Sequence, residues 1–245
     1  GDAITDADFN IAIGGQALGG NILGGNSVAV GHAALLVQNP ATATDMYNVA
    51  VGHAAGLSVT TGTNNVLVGG LAGDALTTGL RNVFVGDNSG GEVTIGSNNI
   101  AIGRNSLDAE VAGSLSVAVG TGTLTTQSFS TATDSYNTAV GHAAGNAMTT
   151  GVKNTLLGAN AGDHLTDADF NVAIGYLALD ADTLGSGSTA IGLQALSTQN
   201  FTTATTTYNV AVGFQAGLSV TTGTSNNLVG GLGGDALTTG SYNQV

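Results

Sequence analysis

Asn48-Val49-Ala50-Val51-Gly52 is one copy of a five-residue phrase that returns fourteen times along the 245-residue chain. The phrase consists of Asn or Ser, an aliphatic or polar residue, an apolar residue, an aliphatic residue and Gly, and only its last copy is incomplete. A fixed period of this size is typical of solenoids, in which every repeat forms one coil. Successive copies are 17 residues apart, except for three gaps of 21, and they begin at residues 10, 27, 48, 65, 82, 99, 116, 137, 154, 171, 188, 209, 226 and 243.

A longer period is built from these coils. Residues 2–84 recur with substitutions at 163–245, so that Thr-Asp-Ala-Asp-Phe-Asn stands at both 5–10 and 166–171. The long unit is therefore 161 residues, or nine coils. Solenoids need terminal coils with a polar outer face, and neither end of this sequence supplies one. We therefore expect residues 1–245 to be a single repetitive segment of a longer fibre.

The composition excludes several classes of function. Charged residues make up 8% of the chain, and the net charge of -13 leaves Arg81, Arg104 and Lys153 as the only Lys and Arg residues. Because nucleic-acid affinity rests on Lys and Arg, we expect no nucleic-acid partner. The absence of Cys removes disulfides, thiolate metal sites and thiol catalysis. No apolar run approaches the roughly 20 residues that span a bilayer.

Period-2 alternation sets the expectation for the two faces of each strand. The second and fourth positions of the phrase, such as Val49 and Val51, share one face, which we assign to the interior of the coil. The third position, such as Ala50, is also apolar and is expected to face outward. A strand that is apolar on both faces is buried on both faces. The outer stripe is therefore predicted to pack against copies of the same chain, with a homotrimer as the expected closure.

The remaining parts of the coil have their own signals. A second strand is predicted at 57–61, which with the phrase would make a flattened parallel β-roll. The phrase Gly is expected to need φ > 0 or close approach to its neighbour, and a second Gly, as at Gly62 and Gly79, is expected at the other corner. Stacked phrase Asn residues are predicted to hydrogen-bond along the axis.

The three 21-residue coils open with Ser instead of Asn and carry Thr-Ala-Thr at 42–44 and 131–133 and at 203–205. We expect these segments to bulge as polar loops, each tethered by a Tyr that directly precedes the next phrase: Tyr47, Tyr136 and Tyr208.

Residues 27–34 (Ser-Val-Ala-Val-Gly-His-Ala-Ala) and 171–178 (Asn-Val-Ala-Ile-Gly-Tyr-Leu-Ala) resemble the head repeats of trimeric autotransporter adhesins of the YadA-like type. Similar phrases occur in shaft regions of phage tail fibres. The resemblance covers the whole chain and implies a left-handed β-roll, with three chains side by side, displayed outside a cell or virion. The adhesin heads usually have a period shorter than 17, and no neck or stalk follows here, so bacterial adhesin and viral fibre both remain open.

Three histidines occupy one corner position, directly after the phrase Gly. They are His32, His53 and His142, and the first two belong to adjacent coils. A metal-binding ladder is one interpretation. Other coils place unrelated residues at this position, which favours a purely structural role. His164 lies in the second half of its coil and carries a weaker signal.

Two pairs of aspartates offer hard oxygen ligands two residues apart, a spacing that Ca²⁺ sites use. They are Asp6 with Asp8 and Asp167 with Asp169. A solvated turn is the favoured interpretation and Ca²⁺ the alternative. The match of residues 230–237 to a nonapeptide Ca²⁺ repeat is interpreted as accidental, because the period of the chain is not a multiple of nine.

Paired threonines could form the flat hydroxyl array of an ice-binding solenoid, although β-branched residues that simply suit strands are the favoured interpretation. Thr is missing from the position in several coils. The pairs stand at 60–61, 77–78, 149–150, 221–222 and 238–239.

Catalysis finds no support in the sequence. No Ser, His and Asp group stands apart from the repeat, and no phosphate-binding loop precedes a helix pattern. Glu92 and Glu110 are the only glutamates. We therefore predict that the segment is not an enzyme and has no catalytic, cofactor-binding or metal residues.

Three functional hypotheses remain. The first is a rigid shaft or head segment of an extracellular trimeric fibre, a bacterial surface adhesin or a phage tail fibre. The second is an adhesive segment that touches host-cell glycans or matrix through the loops around Tyr47, Tyr136 and Tyr208. The third is a monomeric extracellular solenoid that binds ice or Ca²⁺.

Overall fold

The computed structural model describes all 245 residues and contains parallel β-strands and turns but no helix. Each coil contributes one three-residue strand, made of the middle three residues of the phrase. The predicted all-β parallel solenoid with 17-residue coils is therefore confirmed, whereas its left-handedness and its trimeric state stay predictions. The first ten strands are β1 Ile11–Ile13, β2 Gly24–Gly25, β3 Val28–Val30, β4 Thr44–Asp45, β5 Val49–Val51, β6 Val66–Val68, β7 Val83–Val85, β8 Ile100–Ile102, β9 Gly113–Ser114 and β10 Val117–Val119. The others are β11 Thr133–Asp134, β12 Thr138–Val140, β13 Thr155–Leu157, β14 Val172–Ile174, β15 Gly185–Ser186, β16 Thr189–Ile191, β17 Thr205–Thr206, β18 Val210–Val212 and β19 Asn227–Val229.

The chain divides into two compact units. The first comprises residues 1–116 and 128–134, and the second comprises 117–127 and 135–245. In the first unit β1, β3, β5, β6, β7 and β8 pair in that order, and in the second β10, β12, β13, β14, β16, β18 and β19 do so. The register places each residue opposite its equivalent in the next coil, as with Ala50 and Leu67. That residues 1–245 form one repetitive segment stays a prediction.

The predicted assignment of the two strand faces is wrong. The third-position side chains, expected to face outward, are buried in twelve of the thirteen complete coils, from Ala29 to Leu228. The second and fourth positions, expected inside, are half-buried or exposed, with Val51 at 37% exposure. The reason is the phrase Asn, which is also buried. Because side chains alternate with a period of 2, burial of the first position forces the third position inside and the second and fourth outside.

The predicted second strand at 57–61 is also wrong. After the strand the backbone alternates between right- and left-handed residues, with φ of +143° at Gly52, +55° at Ala54 and +60° at Gly56. The Ala54 N–H bonds back to His32 of the preceding coil, while the Gly56 N–H bonds forward to Ala72. This corner satisfies its backbone between coils without an extended strand. A short second pairing forms only beside each 21-residue coil, between β2 and β4, β9 and β11, and β15 and β17.

Glycine is required at both corners by close approach of consecutive coils. A Cβ on Gly69, which has φ +141°, would lie 2.2 Å from the carbonyl oxygen of Gly86. A Cβ on Gly79 would lie 2.2 Å from the carbonyl oxygen of Gly96, without a positive φ. Both expectations about the corner glycines are confirmed, with steric exclusion as the common cause.

The predicted Asn ladder is confirmed and lies inside the coil. The Asn65 side-chain amide donates to Asn48 Oδ1 (3.2 Å), which also accepts the Asn65 backbone N–H (2.9 Å). The same amide donates to the Gly79 carbonyl (3.0 Å). Where Ser27 replaces Asn, the buried Gln38 inserts its Oε1 as the acceptor for the next Asn amide, at 2.9 Å. Ser and Gln therefore replace one Asn together, which keeps the buried polar groups paired.

The core follows a rule of complementary volume that we did not predict. Phe84 and Leu67 fill the interior from the strand, and the left-handed corner residue six positions later is then Gly90 or Gly73. A Cβ on Gly90 would meet the Phe84 ring at 2.6 Å. In six coils whose strand contributes Ala, a buried Leu with positive φ occupies the same corner position, and the pairs are Ala12 with Leu18, Ala29 with Leu35, Ala101 with Leu107, Ala118 with Leu124, Ala173 with Leu179 and Ala190 with Leu196. In the other three, Gly56, Gly145 and Gly217 accompany a strand Ala, and Leu side chains of the two neighbouring coils fill the space, as Leu35 and Leu67 do beside Gly56.

Candidate functional surfaces

An extended apolar surface lies on the sheet face of the first unit. The second and fourth phrase positions form two columns of Val and Ile, and in this unit all twelve side chains are aliphatic. Six strands about 4.8 Å apart give columns roughly 24 Å long. Ile11 and Ile13 are 49% and 60% exposed at one end, and Ile100 and Ile102 are each 38% exposed at the other. Contiguous apolar patches of several hundred Å² are typical of interaction sites.

The corresponding face of the second unit differs between its two columns. The fourth-position column remains aliphatic throughout, ending at Val229 with 58% exposure. The second-position column contains Thr138, Thr155, Thr189 and Asn227. The fourth-position column is therefore the more continuous apolar feature of both units.

The 21-residue coils form exposed loops as expected, and each Tyr that precedes the next phrase is more than half exposed. A cavity of about 290 Å³ beside the first loop is lined by Asp8, Phe9, Gly25, Thr44 and Asp45, among others. Tyr47 lies nearby, and its hydroxyl donates to Asp45 Oδ2 (3.3 Å).

A second cavity, of about 350 Å³, lies at the equivalent place in the second unit. It is lined by Asp169, Phe170, Ser186, Gly187, Thr206 and Tyr208. The rings of Phe170 and Tyr208 are 56% and 67% exposed. The cavity therefore combines aromatic surface with hydroxyl and carboxylate groups.

The histidine ladder exists only as one stacked pair. The rings of His32 and His53 lie 5.5 Å apart between centroids, with an interplanar angle of 9°. The structure instead brings together Asp163, His164 and Asp180, whose potential ligand atoms lie within 4.8 Å of one another. His164 Nδ1 is 3.7 Å from Asp180 Oδ1. Burial raises the pKa of Asp180, and the adjacent His164 opposes that rise. Sequence reasoning missed this group because its residues come from two coils, and the 17-residue offset between Asp163 and Asp180 was the available signal.

The aspartate pair of the second unit is engaged with the preceding coil. Asp167 Oδ1 accepts the Thr150 hydroxyl (2.7 Å), and Asp169 Oδ1 accepts the Val152 N–H (2.7 Å). These contacts fit the favoured interpretation of a turn. Ca²⁺ binding by Asp167 and Asp169, or by Asp6 and Asp8, stays untested.

The first threonine of four of the five pairs uses its hydroxyl within the solenoid. Thr60 Oγ1 donates to the carbonyl of Thr77 (3.2 Å), and Thr77 Oγ1 donates to that of Thr94 (3.0 Å). These donors bridge consecutive coils, so they are not presented to solvent as an array. The contacts favour the structural interpretation over ice binding.

One buried carboxyl group, that of Asp182, has a raised pKa. Asp182 is fully buried, and its Oδ1 accepts the N–H groups of Gly185 (3.1 Å) and Phe201 (3.0 Å). Burial raises the pKa of Asp182 above 3.8, and these hydrogen bonds offset the rise only in part. The equivalent position holds Asn21 in the first coil, so the site also accepts a neutral amide.

Two carboxyl groups in a stripe of three acidic side chains of the first unit also have raised pKa values. Burial is the main cause of the raised pKa values of Asp74 and Asp108, and the negative charge of Glu92 adds to both. The three residues come from consecutive coils. The three side chains stand at nearly the same corner position of their coils, so stacking of the coils brings their like charges together.

No helix is long and apolar enough to cross a bilayer. Comparisons with protein-family models, with curated proteins and with solved structures found no match to this chain.

Proposed function

We propose that this chain is a non-catalytic structural segment of an extracellular trimeric fibre, which holds an attachment surface away from a cell or virion. The observation that carries the proposal is the exposed double column of Val and Ile on the sheet face. The resemblance of the repeat to adhesin heads and phage fibre shafts supports the same function.

The aliphatic columns give the association its driving force. Burying apolar surface contributes about 25 cal/mol per Å², and the columns repeat every coil, so the contact grows with length. The unbroken fourth-position column is the part that we place closest to the threefold axis. Closed symmetry would cover the face in every chain and leave no apolar edge for further growth.

Stiffness is the mechanism of the proposed function. Each coil is joined to its neighbours by backbone hydrogen bonds, by the buried Asn ladder and by the threonine hydroxyls. Bending the segment would open several of these ladders at once. The stacked glycines, which allow the closest approach, keep consecutive coils in register.

The solution mass of the chain tests this proposal. Light scattering is expected to give three times the 23.8 kDa mass of one chain. The double variant Val51→Asp with Val68→Asp places charges on neighbouring strands of the apolar face and should give the mass of one chain.

The matched control is Thr61→Asp with Thr78→Asp, which adds the same charges on exposed residues of the same two coils. This variant should keep the mass of the parent. Far-UV circular dichroism verifies that all variants are folded. A monomeric parent, or a Val51 and Val68 variant that still forms trimers, would refute the proposal.

A further inference from the structure

The second unit contains a slot between two aromatic rings that the first unit does not have. The residues directly before each phrase form a column through successive coils, and Phe170, Gly187 and Tyr208 are consecutive members. Phe170 and Tyr208 are two coils apart, roughly 10 Å along the stack. One ring in contact with an aromatic surface on each side needs about 8 Å. Gly187 lies between them and fills none of this space.

The Tyr208 ring is turned toward Gly187. The position of a Cβ on Gly187 would be 3.8 Å from Tyr208 Cδ1, so the tyrosine ring lies alongside the glycine. Lys153 Nζ lies 5.1 Å from the centre of the Phe170 ring and occupies one of its sides. Asp169 Oδ1 is used by a backbone N–H, while Asp169 Oδ2 and the hydroxyls of Thr206 and Tyr208 make no hydrogen bond within the protein. The cavity is therefore lined both by aromatic surface and by hydrogen-bonding groups that are free to accept a ligand.

The equivalent position in the first unit shows the same architecture in a closed form. Asn26 replaces Gly187, and its amide donates to Asp45 Oδ1 at 2.7 Å. The Tyr47 hydroxyl donates to the other oxygen of the same carboxylate, at 3.3 Å. The Asn26 amide and the Tyr47 hydroxyl therefore both have the Asp45 carboxylate as their hydrogen-bond partner. The second unit has Thr206 in place of Asp45, and its slot stays open.

We infer that the slot formed by Phe170, Gly187 and Tyr208 binds a neutral saccharide ring. The apolar face of a pyranose would stack on the exposed rings, and its hydroxyls would donate to Asp169 and exchange hydrogen bonds with Thr206 and Tyr208. The carboxylate and the net charge of -13 disfavour phosphorylated or acidic ligands. The inference adds a ligand-binding site to the proposed fibre and does not depend on the oligomeric state.

The experiment is saturation-transfer NMR and calorimetric titration with a panel of neutral methyl glycosides of glucose, galactose, mannose and N-acetylglucosamine. A ligand of this size is expected to bind with Kd of about 1 mM. Gly187→Asn should weaken binding at least tenfold by filling the slot. Asn26 adopts φ +57° at the equivalent place, so this substitution suits the backbone.

A second pair of variants separates the slot from a general effect of surface aromatics. Tyr208→Leu should lose binding as Gly187→Asn does, while the matched Tyr47→Leu should bind as the parent does. The inference is overturned if no glycoside of the panel binds, if Gly187→Asn binds as the parent does, or if Tyr47→Leu loses as much affinity as Tyr208→Leu. A monomeric chain that binds saccharide would refute the fibre proposal and leave this inference intact.

Discussion

The complementary core predicts that a large side chain can be moved from the strand to the corner of the same coil. Phe84→Ala alone should cost about 3–5 kcal/mol, because Phe84 is fully buried and the backbone ladders on both sides restrict collapse of the cavity. Gly90→Leu alone should also destabilise, because a Cβ there lies 2.6 Å, 2.7 Å and 2.8 Å from three atoms of the Phe84 ring. Overpacking of this kind costs about 1–3 kcal/mol, and the left-handed conformation adds about 1–2 kcal/mol for a residue other than Gly.

The double variant Phe84→Ala with Gly90→Leu should be more stable than either single one. It recreates the arrangement of Ala101 and Leu107, in which Leu107 is buried at φ +53°. Only the cost of the left-handed residue should remain, about 1–2 kcal/mol. The two single effects sum to at least about 5 kcal/mol, so the favourable coupling is expected to be about 3 kcal/mol or more.

Urea unfolding followed by far-UV circular dichroism, at one fixed protein concentration, measures the cycle, and hydrogen exchange of the β7 amides locates the effect. Fixed concentration matters because self-association changes apparent stability. Phe84→Leu serves as the control, since Leu67 fills the same position one coil earlier, and it should cost less than about 1.5 kcal/mol. Additive single effects, with a coupling near zero, would refute the idea that the two positions share one volume.

Two further predictions concern the buried polar groups. Asn65→Ala should lower the free energy of unfolding by about 2–5 kcal/mol, because it leaves the Asn82 N–H and the Gly79 carbonyl buried without their Asn65 partners. A loss below about 1 kcal/mol, measured by urea unfolding, would contradict a stabilising role of the Asn ladder. Asp182→Asn tests the raised pKa of Asp182. The folded state binds the proton of this carboxyl group more tightly than the unfolded state does. The resulting contribution to the free energy of unfolding is therefore fully present below pH 3.8 and is lost as the pH rises through the pKa of the folded state. The variant should therefore lose less stability than the parent as the pH rises above 3.8. Parallel pH profiles of unfolding free energy for the two proteins would contradict the raised pKa of Asp182.

The face inversion shows what periodicity leaves undetermined. Alternation establishes that Val49 and Val51 share one face and that Ala50 occupies the other, but it does not say which face is inside. Both faces are apolar, so hydrophobicity alone gave no answer. The burial of Asn48 decided it, because inside the coil its amide finds partners in Gln38 Oε1 and the Gly62 carbonyl and is therefore satisfied without water.

The sequence by itself determined the all-β class, the parallel stacking, the coil length and the need for glycine at the corners, because a strict period fixes which residues repeat at the same point of every coil. Only the tertiary structure decided which face is buried, that the second half of the coil is a ladder of turns, and that Phe84 and Gly90 share one volume. It also brought Phe170, Gly187 and Tyr208 together. Most of these features depend on contacts between consecutive coils, whose equivalent residues are about 17 to 21 positions apart in sequence. Phe84 and Gly90 are only six residues apart, and they meet because the corner folds back over the strand of the same coil.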